Sequence, residues 1–151
     1  MKLFILPLCL FLSILFTSCD IDGYGKKVKI SDHTEVFIKN DATEAEAKKL
    51  GIYIDSTWKE QTNDKSFQLS KDSGNYIVRM VVDENKVKND TTLDVSFQAI
   101  QFLIEDQVFK GSKVTLILTD NKFNDIKTVK SSPALFNDQQ TTNDDSMNIV
   151  K

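Results

Sequence analysis

The sequence has few of the residues on which most protein chemistry depends. Its 151 residues include two cysteines, one histidine, two prolines and five glycines. Two prolines and five glycines exclude collagen-like and Pro/Gly-rich low-complexity chains. An excess of positive charge is also missing, because the formal net charge is −3 at pH 7. That balance argues against nucleic acid as a partner, since a nucleic-acid binder needs a basic surface.

Long apolar runs are absent except at the N-terminus. Met1 and Lys2 are followed by an apolar run from Leu3 to Phe16, which only Pro7 and Ser13 interrupt. One positive charge before a short apolar core is the pattern of a secretory signal peptide. A bilayer-spanning helix needs about 20 apolar residues, so a permanent membrane span is the weaker interpretation.

The apolar run ends in Phe16-Thr17-Ser18-Cys19, which resembles the lipobox of bacterial lipoproteins. The resemblance implies that Cys19 carries a diacylglyceryl group, that cleavage follows Ser18, and that the domain lies in the bacterial cell envelope outside the cytoplasm. Several acyl chains, such as palmitate, would anchor the protein stably to a membrane, whereas one chain anchors only marginally. Phe16 stands where the lipobox usually has Leu. An ordinary secretory signal with a free Cys19 is the alternative, and inner and outer membranes both stay open.

After the expected processing, neither cysteine has a free thiol that could take part in other chemistry. Cys9 leaves with the signal peptide and Cys19 carries lipid, so no disulfide, thiolate metal site or cysteine nucleophile is expected. His33 lies beside Asp32 just before a strand and is interpreted as a surface-loop residue, because adjacent residues rarely orient each other as a catalytic triad requires. We therefore expect no catalytic residue, no metal site and no cofactor, and the chain is predicted not to be an enzyme.

Composition divides the chain into four parts. We predict a lipoprotein signal peptide at 1–18, a lipidated tether at 19–27, an α+β domain at 28–130 and a disordered tail at 131–151. The tail is rich in Asn, Asp, Gln, Ser and Thr, and it cannot bury enough apolar area to offset the entropy lost on ordering.

Within the domain the apolar period alternates between that of strands and that of helices. Strands are predicted at 34–39, 66–71, 76–82 and 113–119, with short additions near 28–30 and 126–129. Thr43 and Glu46 form a capping box before a helix at about 44–59, and a second helix is predicted from Asp90 to Gly111. The order β-α-β-β-α-β predicts a ferredoxin-like α+β sandwich, an antiparallel sheet with two helices on one face.

Several segments resemble a small, functionally uncharacterised domain of bacterial envelope and secreted proteins. The resemblance covers about residues 34–129 and is carried by Val36-Phe37-Ile38-Lys39, Ala42-Thr43-Glu44-Ala45-Glu46-Ala47, Phe67-Gln68-Leu69-Ser70-Lys71-Asp72, Tyr76-Ile77-Val78-Arg79-Met80-Val81-Val82 and Asp120-Asn121-Lys122-Phe123. These segments suit core and turn positions. The resemblance supports the fold and implies no activity.

One face of the predicted sheet is a candidate interaction surface. If the alternate strand positions face the helices, the other face carries the apolar residues Phe37, Ile77, Val81 and Ile117 among polar neighbours. The tail around Leu135-Phe136, or the additional strands, is an equally good candidate to cover this face.

Our first hypothesis is a membrane-anchored module that binds an envelope protein or forms a homo-oligomer. The alternative is a module that binds a small ligand or glycan beside the sheet, which requires a concave pocket with converging polar groups.

Overall fold

A six-stranded sheet with helices packed on one face makes up the part of the chain described here. The structure is a computed structural model that describes residues 23–58 and 63–131. Its strands are β1 Lys26–Lys29, β2 Thr34–Ile38, β3 Lys65–Asp72, β4 Asn75–Val81, β5 Val114–Thr119 and β6 Asp125–Thr128. Its helices are α1 Glu44–Thr57, α2 Glu84–Asn89 and α3 Leu93–Leu103, and α3 continues as the π-helical segment Ile104–Val108. This arrangement confirms the predicted α+β class.

The strands lie in the sheet in the same order as in the chain. The pairs β1–β2, β3–β4 and β5–β6 are antiparallel, whereas β2–β3 and β4–β5 are parallel. The predicted ferredoxin-like sandwich is not confirmed, because its sheet is antiparallel and this sheet is mixed. The physical reason is that α1 and α3 are crossover connections after which the next strand pairs directly with the previous one, and such neighbours run parallel.

Alternate strand residues form the core, as the period of two predicts. The side chains packed between sheet and helices are Val36, Phe67, Leu69, Tyr76, Val78, Val114, Leu116 and Leu118, with Ile38, Met80 and Val82 at the margin. Helix α1 adds Ala47, Leu50 and Ile54, which are all buried. Since α1 also contacts the π-helical segment, both helical parts lie on the same side of the sheet.

Helix α1 begins where the capping box predicts. The Glu46 amide donates a 3.2 Å hydrogen bond to Thr43 Oγ1, and the Thr43 amide donates one of 2.7 Å to Glu46 Oε2. These bonds satisfy two amide donors at the helix start that would otherwise lack partners. The β3–β4 hairpin is also confirmed, with a two-residue turn at Ser73 and Gly74, whose φ angles are 50° and 84°.

The second helical region differs from its prediction. The helix predicted from Asp90 to Gly111 forms over residues 93–108 as α3 and the π-helical segment. The short helix α2, which was not predicted, precedes it, with the Asp83 carboxylate accepting a hydrogen bond from the Asn85 amide. The π-helical segment then closes with a 3.1 Å bond from the Phe109 amide to the Ile104 carbonyl oxygen. The extra residue in this turn buries Phe109 beside Val108.

The folded part begins before residue 28, the predicted domain boundary. Strand β1 starts at Lys26, and Tyr24 already packs against the sheet. Residues 23–27, which we assigned to the tether, therefore belong to the folded part. The signal peptide, Cys19 and residues 132–151 of the predicted tail lie outside the described residues. Within the described ranges, no helix is long and apolar enough to cross a membrane.

Candidate functional site

The sheet face opposite the helices carries polar residues at its centre. Strand register places Phe37 beside Gln68, Gln68 beside Arg79, and Arg79 beside Ile117. Ile77 and Val81 lie two residues on either side of Arg79 on β4. All four predicted interaction residues therefore lie on this face, but Gln68 and Arg79 separate Phe37 from the other three. Whether this face binds a partner stays a prediction.

Three aromatic rings pack together over one part of this face. Phe37 on β2 meets Tyr24 from the segment before β1 and Phe123 from the loop between β5 and β6. The ring centroids of the three pairs are 5.5, 5.6 and 5.9 Å apart, with interplanar angles of 67°, 69° and 75°. Edge-to-face packing of this kind stabilises aromatic clusters beyond the area they bury. Phe37 is therefore in contact with the chain's own aromatic residues.

The loop between β5 and β6 is held in shape by the Asp120 carboxylate. Asp120 Oδ1 accepts hydrogen bonds of 2.8 and 2.9 Å from the Lys122 and Asn124 amides, and Oδ2 accepts one of 2.8 Å from the Asn124 side chain. These bonds, led by that from the Asn124 side chain, hold the pKa of Asp120 below its usual value. The loop fixes Phe123 at a φ of 59°, from which its ring reaches Phe37 and Tyr24.

The segment before β1 is held by a close backbone approach. Gly25 has a φ of 96°, and a Cβ at this position would lie 2.0 Å from the Ile38 carbonyl oxygen. Only glycine fits such a contact. The Gln68 side chain then donates a 2.9 Å hydrogen bond from Nε2 to the Tyr24 carbonyl oxygen. These two contacts position Tyr24 against the sheet.

Between this segment and the β5–β6 loop lies a concave, open space that we call the sheet-face cleft. Its volume is about 600 Å³. The residues that line it are Gly23, Tyr24, Lys39, Asn40, Gln68, Ser70, Arg79, Lys122, Phe123, Asn124 and Asp125. Gln68 and Ser70 are almost fully buried, whereas Lys39, Lys122 and Asn124 are exposed.

The residues that line the sheet-face cleft carry more positive than negative charge. Arg79 donates two hydrogen bonds to Asp125, one of 2.7 Å from Nε and one of 3.3 Å from Nη2. In the part of the chain that the structure describes, neither Lys39 nor Lys122 forms an ion pair. Three cations therefore line the cleft with a single carboxylate, although the whole chain has a net charge of −3. Positive charge is therefore in excess among the residues that line the cleft.

His33 lies away from the sheet-face cleft, on an exposed loop. Its Nδ1 lies 3.0 Å from Oδ1 of Asp64, whereas the neighbouring Asp32 pairs with Lys29 at 2.9 Å. The Ser31 hydroxyl donates to Asp55 rather than to the histidine ring. Across the described ranges, no three His, Cys, Asp or Glu residues lie together as a metal site would need.

The sequence predicts the strand residues at the base of the sheet-face cleft, but it does not predict the residues outside the strands that form its sides. The period of two in β3 and β4 puts Gln68 and Arg79 on the open sheet face. Tyr24, Lys39 and Phe123 join them only because three separate loops converge. The one signal in the sequence was the run Asp120–Asp125, whose Asp and Asn residues favour a turn that hydrogen-bonds to its own backbone.

Comparison with known proteins gives one match. Residues 27–131 match a family model described as the AF_1994_N family N-terminal domain. The matched range includes all strands and helices described above except Lys26, and the whole β5–β6 loop. Neither a curated protein nor a solved structure matches the chain significantly.

Proposed function

The chain belongs to the AF_1994_N family, and we propose that its domain is a non-enzymatic module that binds a small polar ligand in the sheet-face cleft. The observation that carries the proposal is a cleft of about 600 Å³ on which amide, hydroxyl and charged side chains converge. Ligand sites in proteins are concave, with volumes of about 300–1,000 Å³ and a few placed polar groups. Of the two hypotheses drawn from the sequence, the proposal adopts the module that binds a small ligand rather than the module that binds a protein or forms a homo-oligomer.

The arrangement of the cleft suits binding better than proton transfer. The carboxylate of Asp125 is held by both hydrogen bonds from Arg79, so its charge is neutralised by a fixed partner. The amides of Gln68 and Asn124 are likewise oriented by hydrogen bonds within the protein. A site whose polar groups are fixed before the ligand arrives loses less entropy on binding.

Chemical-shift mapping tests the proposal. The full ¹⁵N-labelled chain is titrated with a panel of sugars, organic acids, phosphates and amino acids, each up to about 10 mM, which detects dissociation constants near 1 mM. We expect at least one class to shift the amides of Gln68, Arg79 and Asn124 while the amide of Lys48 on α1 stays unchanged. Shifts at none of the three cleft amides with any class would contradict the proposal.

We further propose that this module is a lipoprotein of the bacterial cell envelope, anchored to a membrane through Cys19. The support is the N-terminal sequence, in which a short apolar run precedes Phe16-Thr17-Ser18-Cys19. Growth of cells with an alkyne analogue of palmitate tests it. The label is expected on the wild-type chain and absent from Cys19→Ala, which should also leave the membrane fraction. Labelling of the Cys19→Ala variant would refute the anchor.

Self-assembly is the second candidate function. On the helix layer, Ile52, Val95 and Leu103 have exposed fractions of 61%, 57% and 40%. Val95 and Leu103 are eight residues apart on α3, so they lie on one side of the helix. Analytical ultracentrifugation of the full chain should then show a dimer that Val95→Lys dissociates. Dissociation by Ile77→Lys instead would indicate the open sheet face, and a monomer at every concentration would exclude self-assembly.

A further inference from the structure

We propose that the sheet-face cleft binds an acidic sugar, a pyranose ring that carries a carboxylate; this inference rests on the proposed function, that the cleft binds a small polar ligand. Three properties of the cleft lead to this class of ligand: free positive charge, oriented amides, and an apolar corner made of aromatic rings. Each property corresponds to one part of such a molecule.

The positive charge corresponds to the carboxylate. Arg79 is neutralised by Asp125, so the two cations that a ligand can engage are Lys39, which follows β2, and Lys122, in the β5–β6 loop. Neither forms an ion pair within the described residues, and both are exposed to the cleft opening. Lys122 interacts electrostatically with Asp120, whose pKa it helps to lower, and a carboxylate on the ligand would supply a counter-charge that both ammonium groups can share. Lysine binds a carboxylate or phosphate as a point charge, without the fixed fork geometry of arginine.

The oriented amides correspond to the hydroxyls. An amide side chain offers both donors and an acceptor, which neighbouring hydroxyls on a sugar ring match because each hydroxyl both donates and accepts. Gln68 is fixed by its 2.9 Å bond to the Tyr24 carbonyl oxygen, and Asn124 by its 2.8 Å bond to Asp120 Oδ2. Asp125 adds an acceptor at the same wall. A simple inorganic anion would use the lysines and leave these amides unused.

The aromatic corner corresponds to the ring. Tyr24 and Phe123 both line the cleft, and their rings meet at 69° with centroids 5.6 Å apart. Two rings at this angle leave no parallel slot for a flat nucleobase. Both rings contribute apolar surface to the cleft, and aromatic rings attract the polarised C–H groups on one side of a pyranose. The corner therefore favours a puckered ring over a planar one.

The test compares three probes on the full ¹⁵N-labelled chain: glucuronate, glucose and inorganic phosphate. Glucuronate adds a carboxylate to the glucose skeleton, and phosphate supplies an anion without a sugar ring. We expect glucuronate to shift the amides of Gln68, Arg79 and Asn124 with an affinity at least tenfold above that of glucose. Phosphate is expected to bind more weakly than glucuronate and to leave Gln68 unshifted.

A double variant isolates the charge. Lys39→Gln with Lys122→Gln should lower the affinity for glucuronate about tenfold or more, and should lower the affinity for glucose much less. Lys49→Gln on α1 removes one exposed lysine away from the cleft and should change neither affinity. All three positions are exposed, so we expect each variant to keep the fold. Circular dichroism and thermal unfolding check this.

Three results would overturn the acidic-sugar inference. Equal affinity for glucose and glucuronate would show a neutral-sugar cleft, and phosphate binding at least as tightly as glucuronate would show an anion site without sugar recognition. In both cases the proposed ligand-binding function stands. The third result is that none of the three probes shifts the cleft amides; it also overturns the proposed function if the wider panel described above shifts none of them.

Discussion

The hydroxyl of Tyr76 donates a 2.5 Å hydrogen bond to Oε1 of Glu46 and so joins strand β4 to the first turn of α1. The same oxygen lies 3.0 Å from Nζ of Lys71 on β3, and Oε2 accepts the 2.7 Å bond from the Thr43 amide. Glu46 thus serves as capping residue of α1 and as the link between that helix and the β3–β4 hairpin. Its carboxylate uses four donors, counting the Thr43 hydroxyl.

Removing the Tyr76 hydroxyl should destabilise the fold. In Tyr76→Phe the ring keeps its stacking on Phe109, at a centroid distance of 3.8 Å, and the hydroxyl's interactions with Glu46 and Lys71 are lost. Hydrogen bonds to charged groups contribute about 1.5–3 kcal/mol, so we expect urea denaturation to show a loss of about 2 kcal/mol. Tyr53→Phe on α1 is the matched control and should cost less than about 0.5 kcal/mol. Equal losses in both variants would contradict the role of the bond.

Stability should depend on pH through Glu46. Burial alone would raise the pKa of its carboxyl, but the hydrogen bonds from Tyr76, Thr43 and Lys71 outweigh burial and lower it to about 2, from a usual value of 4.5. Because the folded-state pKa is the lower one, the contribution is fully present above pH 4.5 and is lost as the pH falls toward about 2.

Glu46→Gln isolates this contribution. The wild-type chain should have the higher free energy of unfolding at neutral pH, and the difference between the two chains should shrink across the window from pH 4.5 to about 2. Urea denaturation at a series of pH values measures it. A difference that stays constant through this window would show that the Glu46 pKa is not depressed in the fold.

The Asp120 carboxylate should control the wall of the sheet-face cleft. In Asp120→Ala the amides of Lys122 and Asn124 lose their acceptor, so Phe123 is no longer held against Tyr24. We expect the variant to have a lower free energy of unfolding than the wild-type chain, because two backbone amides lose their hydrogen-bond acceptor. The near-ultraviolet circular dichroism of the tyrosines should weaken with it. Asn121→Ala, in the same loop, should preserve both signals; a similar change there would attribute the effect to the loop in general.

Alanine at position 51 should destabilise the fold, although helices ordinarily favour alanine over glycine. A Cβ at this position in α1 would lie 2.3 Å from Cγ1 of Ile30. Gly51→Ala should therefore destabilise the fold by about 1–3 kcal/mol through overpacking. An Ile30→Ala background removes the two closest contacts and leaves Val36 Cγ2 at 3.2 Å, so there the same substitution should destabilise the fold less, because alanine favours the helix. Chemical denaturation of the wild-type chain, the two single variants and the double variant gives a double-mutant cycle. If the effects of the two substitutions on the free energy of unfolding are additive, residues 30 and 51 are not in contact.

The features that sequence reasoning predicted correctly depend on neighbours in the chain. The capping box of Thr43 and Glu46 needs residues three positions apart, and the hairpin turn at Ser73 and Gly74 joins two strands directly. The core side of each strand follows from the period of two within that strand. Helix α2 escaped prediction because six residues with one buried apolar side chain, Val87, give too little periodicity.

Strand order and the cleft could not be predicted in the same way. The order of elements along the chain does not determine whether the strand after a crossover helix pairs directly with the strand before it. Direct pairing gives the observed mixed sheet, whereas a third strand between the two gives the expected antiparallel sheet. The cleft brings together Tyr24, Lys39 and Phe123, which lie far apart in the sequence. Their meeting depends on tertiary packing, which no local pattern encodes.

Because the strands pair in chain order, β1 and β6 occupy opposite edges of the sheet. Mechanical tension applied to the N-terminal end reaches Tyr24 and β1 before any other element. Strand β1 pairs with β2 alone, with Lys26 opposite Ile38, so its detachment breaks no hydrogen bond between the other five strands. Tyr24 leaves with β1 and takes one wall of the sheet-face cleft away. Under the proposed function, detachment of β1 would remove the Tyr24 side of the ligand site while β2–β6 stay paired.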